Sequence, residues 1–183
     1  MRRRPPHIPQ RRRIFLGCEG YSEHGYGTLL ARIAREARIH VHIDARVLQP
    51  GAGDPRALVE KAAQIIAHNE THRERFEIKA VLLDLGSPEI NAAATTRAEQ
   101  HGIDFLIWQS PDHEALLLRH LPGCQQQRPP RRHTLATLQR QWGEYEKPMS
   151  AQNLAVRISL NEIRQACAVE PNLRAFLTAI GML

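Results

Sequence analysis

The chain has 183 residues, 42% hydrophobic and 24% charged, which suits one globular domain and excludes both a disordered chain and a membrane-embedded one. Its net charge is +6, yet six arginines (Arg2, Arg3, Arg4, Arg11, Arg12 and Arg13) fall within residues 1–13, which hold no acid. The other 19 basic residues equal the 19 acids, so the body is near neutral and the excess forms a local arm.

That arm, interrupted by prolines, reads in two ways. It is a solvated, disordered tail, or a grip on phosphates that adds affinity without sequence choice through counterion release. An organelle transit peptide fits less well, because the arm lacks serines and amphipathic spacing. No apolar run approaches the roughly 20 residues that span a bilayer, and the N-terminus has no apolar signal region. The three cysteines (Cys18, Cys124, Cys167) form no Cys-x-x-Cys pair, which argues against a zinc ribbon or a disulfide framework. A cytoplasmic protein is therefore expected.

Ile14–Cys18 is a short apolar run that predicts a buried strand. Leu29, Leu30, Ile33 and Ala34 recur at helical spacing and predict a helix from about Ser22 to Arg38. Ile39–Asp44 alternates and predicts a second strand. Asp54 and Pro55 supply an N-cap and a first-turn proline for a helix bearing Leu58, Ala62, Ile65 and Ile66 on one face. Ile78–Leu83 reads as a central parallel strand. Ser87-Pro88 opens a helix running to His101, Ile103–Trp108 predicts a fourth strand, and Pro111 opens a helix with Leu116, Leu117 and Leu118. Residues 125–133 are rich in Gln, Pro and Arg and predict a mobile loop. Beyond them helices are expected over 134–144, 153–167 and 173–180. The organisation predicted is an arm (1–13), an α/β core (14–124), a loop (125–133) and a helical extension (134–183). Strands alternating with helices predict βαβ units and a mostly parallel sheet of about four strands.

In such sheets ligands sit beyond the carboxyl ends of the strands. Glu19, Asp84 and Glu114 fall there, and carboxylates from neighbouring strand ends share hard cations such as Mg²⁺ or Mn²⁺. The stretch Ile14-Phe-Leu-Gly-Cys-Glu-Gly-Tyr-Ser-Glu23 resembles the opening of RloB-like proteins, which are similar to Toprim domains. Ser110-Pro-Asp-His-Glu-Ala-Leu-Leu-Leu-Arg-His120 resembles a later stretch of that family, with fainter echoes at Asp54–Val59 and Tyr145–Lys147. The resemblance implies a Toprim-like α/β fold and metal-dependent cleavage of nucleic acid, in bacterial phage-defence or restriction-associated loci, often beside an ATPase. It implies Glu19 as the motif carboxylate. The chain departs from the pattern after the third strand, where Asp84-Leu85-Gly86 stands in place of Asp-x-Asp, and Glu89 is a possible substitute. His113 and Ala115 replace aromatic positions.

The site reading therefore assigns Glu19 and Asp84 as metal ligands, with Glu19, Glu23 and Glu114 in catalysis. Arg2, Arg3, Arg4, Arg11, Arg12, Arg13 and Lys147 are the candidate nucleic-acid contacts. Each has a plainer counterpart: a turn start for Glu19, a first-turn dipole residue for Glu23, a helix cap for Asp84, a buried ion-pair partner for Glu114 and a solvated lysine for Lys147. A catalytically degenerate Toprim-like subunit, acting as a regulatory or nucleic-acid-binding partner of an ATPase, is the alternative function. Gly20-x4-Gly25 lacks the Lys-Ser/Thr of a phosphate loop, so ATP is not expected there. His40, His42 and Asp44 have metal-ligand spacing on a strand but read more simply as a polar strand face. Cys18 reads as a small buried side chain, since Glu19 beside it disfavours a thiolate.

Overall fold

A computed structural model describes residues 10–48 and 53–183. Arg2, Arg3 and Arg4 lie outside the described residues. The elements in chain order are β1 (Arg12–Cys18), α1 (Tyr21–Glu36), β2 (Val41–Val47), α2 (Pro55–Glu70), β3 (Ile78–Asp84) and α3 (Pro88–Gln100). They continue with β4 (Phe105–Gln109), α4 (His113–His120), α5 (Arg131–Gln141), α6 (Ala151–Leu154), α7 (Leu160–Cys167) and α8 (Pro171–Ala179). The strands form one all-parallel sheet in the order β2-β1-β3-β4. This is the α/β arrangement expected from the alternation of elements, and it is compatible with a Toprim-like fold.

Alternation along β1 divides the core. Ile14, Leu16 and Cys18 join one apolar cluster with the inward faces of α1 and of the helices from α4 onward. Phe15 joins a smaller cluster on the opposite face, with Leu58, Val59, Ala62 and Ile66 of α2 and Ala94 and Ala98 of α3. The helical extension, 134–183, packs into this core: Leu138, Leu154, Ile163, Phe176 and Leu177 cover one side of the sheet. Among the described residues, no helix is long and apolar enough to cross a membrane.

Several boundaries differ from expectation for identifiable reasons. β2 runs over Val41–Val47, not 39–44, because parallel pairing with β1 carries the ladder from Arg12↔Val41 to Cys18↔Val47. Arg38 takes a positive φ of 57° in the turn before it, so His40 falls outside the strand. The expected arm ends sooner than 13, since Arg12 and Arg13 are the first residues of β1. The helix foreseen over 153–167 breaks into α6 and α7, where Ser159 and Glu162 form a capping box that starts a new helix. The loop 125–133 is shorter than expected, because α5 begins at Arg131.

Gly25 is required by a close approach. A Cβ there would stand 2.2 Å from the backbone oxygen of Met149, so α1 and the segment before α6 touch backbone to backbone. Gly25→Ala is expected to cost about 1–3 kcal/mol through overpacking, read as a lowered urea midpoint. An unchanged midpoint would mean that the 149 segment is not seated on α1.

Candidate functional site

Strand order places a topological switch between β1 and β3, since the chain leaves β1 toward β2 and returns on its other side. Ligands bind outside the carboxyl ends of strands at such a point. There a cleft of about 300 Å³ is lined by Glu19, Tyr21, Glu23, Asp84, Lys147 and Pro148. A larger hollow of about 410 Å³ lies over α2 and α3. Its acids are already engaged, Asp54 with Arg56 and Glu60 with Arg97 and His101.

Glu19 leaves the end of β1 and reaches across to β3, where its Oε2 accepts the backbone N–H of Asp84 at 3.1 Å. Burial pushes the Glu19 carboxyl upward and Glu23 adds repulsion, against the stabilising N–H of Asp84. Asp84 is pushed up to about 8, first by burial and then by Glu19, Glu23 and Asp112. Its Oδ1 is buried with no hydrogen-bond partner. The nearest cation to its Oδ2 is Arg131, at 4.0 Å. Two carboxylates thus crowd one spot with too little positive charge to hold both ionised.

Glu23 and Glu114, expected in catalysis, each hold a partner within the chain, and Glu23 also lines the cleft. Glu23 is buried, and its Oε2 accepts the Gly20 N–H at 2.9 Å, which closes the first turn of α1. It therefore contributes charge to the cleft while its position serves the helix start. Glu114 is buried behind the cleft, where its Oε1 binds the Lys147 ammonium at 2.7 Å and the Tyr145 hydroxyl at 3.3 Å. Burial alone would raise the Glu114 carboxyl, but Lys147 outweighs it and holds it below the ordinary range. An ionised, ion-paired Glu114 is a positioning residue for Lys147 and is a poor general acid. Lys147 is opposed by burial, yet Glu114, Glu23 and Asp84 raise its pKa and keep it charged at the cleft wall.

Three contributors escaped the sequence reading. Arg131 donates to the backbone oxygens of Leu85 (2.7 Å) and Pro111, tying the end of β3 to the approach to α4. Asp112 caps α4 by accepting the Ala115 N–H at 3.0 Å and accepts the Thr134 hydroxyl at 2.6 Å. The cap was legible as an Asp directly after a Ser-Pro; Arg131, inside a Gln/Pro/Arg stretch, offered no signal. Tyr21, 65% exposed, stands at the mouth of the cleft.

The departures from the family pattern have visible consequences. At Gly86, which stands where the RloB-like pattern has a second aspartate, both backbone groups are held by the Asn91 side chain, at 3.0 and 3.1 Å. Glu89 does not replace it: it is exposed and lines a separate hollow with Asp54 and Arg56. His113 occupies its aromatic position as a ring would, edge-on to Tyr26 with centroids 5.9 Å apart. Burial lowers its pKa, so it is neutral.

Arg12 and Arg13 have partners within the chain. Arg12 pairs with Glu77 at 2.7 Å, and Arg13 stacks over Phe76 at 4.2 Å, at the end of β1 remote from Glu19. Arg11 is exposed beside them. Asp44 is engaged by Arg46 at 2.7 Å. Among the described residues, no group of three or more His, Cys, Asp or Glu side chains is placed to hold a metal, which includes His40, His42 and Asp44. Cys18 is buried and its thiol is raised by burial, as a packing role predicts.

The donor set still suits a hard divalent cation. Mg²⁺ retains several waters and is commonly bound through one or two carboxylates plus substrate phosphates, and Glu19 and Asp84 are the carboxylates at the cleft that would hold it. The unpartnered Asp84 Oδ1 is the atom such an ion would satisfy. Comparison with family models, with curated proteins and with solved structures found no match to the chain.

Proposed function

We propose that the cleft holds Mg²⁺ or Mn²⁺ on Glu19 and Asp84 and that the protein is a metal-dependent nuclease of the RloB type, cleaving phosphodiester bonds. The observation that carries this reading is the buried, unpartnered Oδ1 of Asp84 beside a second carboxylate, a site short of one positive charge. A bound divalent cation supplies charge stabilisation at a phosphoryl group and a more acidic water. The chain's own residues then divide the remaining work. Lys147, fixed by Glu114, and Arg131, fixed by two carbonyls, present charge toward an incoming phosphate. Glu23 keeps the Glu19-Gly20 turn closed, which holds Glu19 on the β3 side. The resemblance to RloB-like proteins supports a role in a bacterial phage-defence or restriction-associated system, where such proteins often stand beside an ATPase.

The second reading, a non-catalytic partner subunit of an ATPase, draws support from Gly86 and its Asn91 clasp, which leave two carboxylates where the family pattern has three. Calorimetric titration of Mn²⁺ into wild type and Glu19→Gln tests the first. Wild type is expected to bind, and the variant to bind at least about tenfold more weakly, since each 1.4 kcal/mol is tenfold. Plasmid and RNA cleavage assays with Mn²⁺ follow. Binding without cleavage would select the non-catalytic reading, and no binding by wild type would end the metal reading.

A further inference from the structure

Three hollows run end to end along α1. The carboxylate cleft shares Tyr21 and Pro148 with a neighbouring hollow of about 360 Å³, also lined by His24, Gly25, Thr28 and Met149. That hollow shares Thr28 and Ala151 with a third, of about 390 Å³, lined by Arg11, Arg32, Arg35 and His42. Together they make a trough from the start of α1 to its last turn, roughly 20 Å at 1.5 Å per residue. Its three parts differ in chemistry. One end is acidic, the middle is largely apolar with an aromatic ring at its entrance, and the far end is basic.

The basic end carries unspent charge. Arg32 pairs with Glu36 at 2.7 Å, but among the described residues no carboxylate pairs with Arg11 or Arg35. No acid lines this hollow. Tyr21 is the residue that a purely structural account leaves over. It lies at the first position of α1, where it is 65% exposed, and its ring borders both the cleft and the apolar middle. A ring held beside a phosphate-processing site and followed by a line of positive charge matches how single strands are gripped, by stacking bases on aromatics over a basic track. Duplex bases are already stacked and cannot reach such a ring.

We infer that the trough is a track for single-stranded nucleic acid, which stacks a base on Tyr21 and lays the adjoining phosphates over Arg11, Arg32 and Arg35. This rests on the proposed phosphodiester chemistry for its direction, since the scissile phosphate would lie at the carboxylate end. Its binding does not depend on the cation. The arm residues Arg2, Arg3 and Arg4 are not needed for it.

Fluorescence anisotropy with labelled single-stranded DNA, single-stranded RNA and a duplex of equal length, all in EDTA, tests the track apart from the metal. Single strands of either sugar are expected to bind more tightly than duplex. Tyr21→Ala is expected to weaken single-strand binding between about 5- and 150-fold, the loss of one stacked base, while Tyr21→Phe retains it. Arg32→Gln with Arg35→Gln should lower the slope of log affinity against log salt by about 1.4 for single strands. Equal binding of duplex and single strand, or an unaltered affinity in Tyr21→Ala, overturns the track whatever the Mn²⁺ titration gives. A Glu19→Gln variant that still binds single strands in EDTA while failing to bind Mn²⁺ upholds the track and keeps the two readings separate.

Discussion

Asp84→Asn is expected to stabilise the metal-free protein at pH 8–9 and to abolish its stabilisation by Mn²⁺. The sign follows from proton counting. In the unfolded chain Asp84 ionises near its ordinary value of 3.8, whereas in the folded protein it keeps its proton up to about 8. Between those values the folded state binds the extra proton, so stability falls as pH rises from about 4 to 8 and is then level. Glu19, also raised, adds to the same slope. Asparagine removes the Asp84 contribution, and the difference from wild type at pH 9 should reach at least about 1.4 kcal/mol, the equivalent of one pKa unit. Urea midpoints at pH 5, 7 and 9 measure it; parallel curves for the two proteins would show that Asp84 is not perturbed. A cation that binds only the folded state at a hundredfold excess over Kd stabilises by about 2.7 kcal/mol. Wild type should gain this from Mn²⁺, more readily above pH 8, and the variant should not.

A larger loss is expected on the far side of α4. Arg119 is fully buried and pairs with Glu170, at the start of α8, while its Nη2 donates to the Ser110 backbone oxygen at 2.6 Å. Burial works against both charges, lowering Arg119 and raising Glu170, and each is kept ionised by the other. Arg119→Ala would strand a buried carboxylate and free a carbonyl, which costs about 3–5 kcal/mol. Replacing both residues by methionine should cost much less, because a buried pair gives back little beyond its own desolvation. Equilibrium unfolding of the single and double variants checks this, and a double variant as unstable as the single would contradict it. The same helix carries a neutral pair that should tolerate change better: His120 donates Nδ1–H to Leu116 O at 2.8 Å and accepts the Tyr26 hydroxyl at 2.9 Å. Its pKa, lowered to about 4 by burial, agrees with that tautomer.

The residues that local patterning identified are those whose placement depends on local rules. Apolar runs located β1 and β3, and the strand-end rule then put Glu19 and Asp84 together before any contact was visible. Asp54 and Ser87 act as caps where cap chemistry placed them. The misplacements are long-range. The extent of β2 depends on pairing with β1, and the role of Glu114 depends on a lysine 33 positions later. Arg12 and Arg13 read as a tail because composition alone cannot show that Glu77 and Phe76 meet them. The helices after residue 130 read as an extension because the sheet face they cover belongs to strands far away in sequence.

That distance has a consequence for the order in which the cleft comes into being. Translation delivers Glu19, Glu23 and Asp84 well before Arg131 and Lys147, so a growing chain carries the acids of the cleft without their counter-charges. Until Lys147 emerges, Glu114 lacks its ion-pair partner and one face of the sheet lacks its cover. The charge balance at the mouth of the cleft is therefore complete only when the last third of the chain has docked on the sheet.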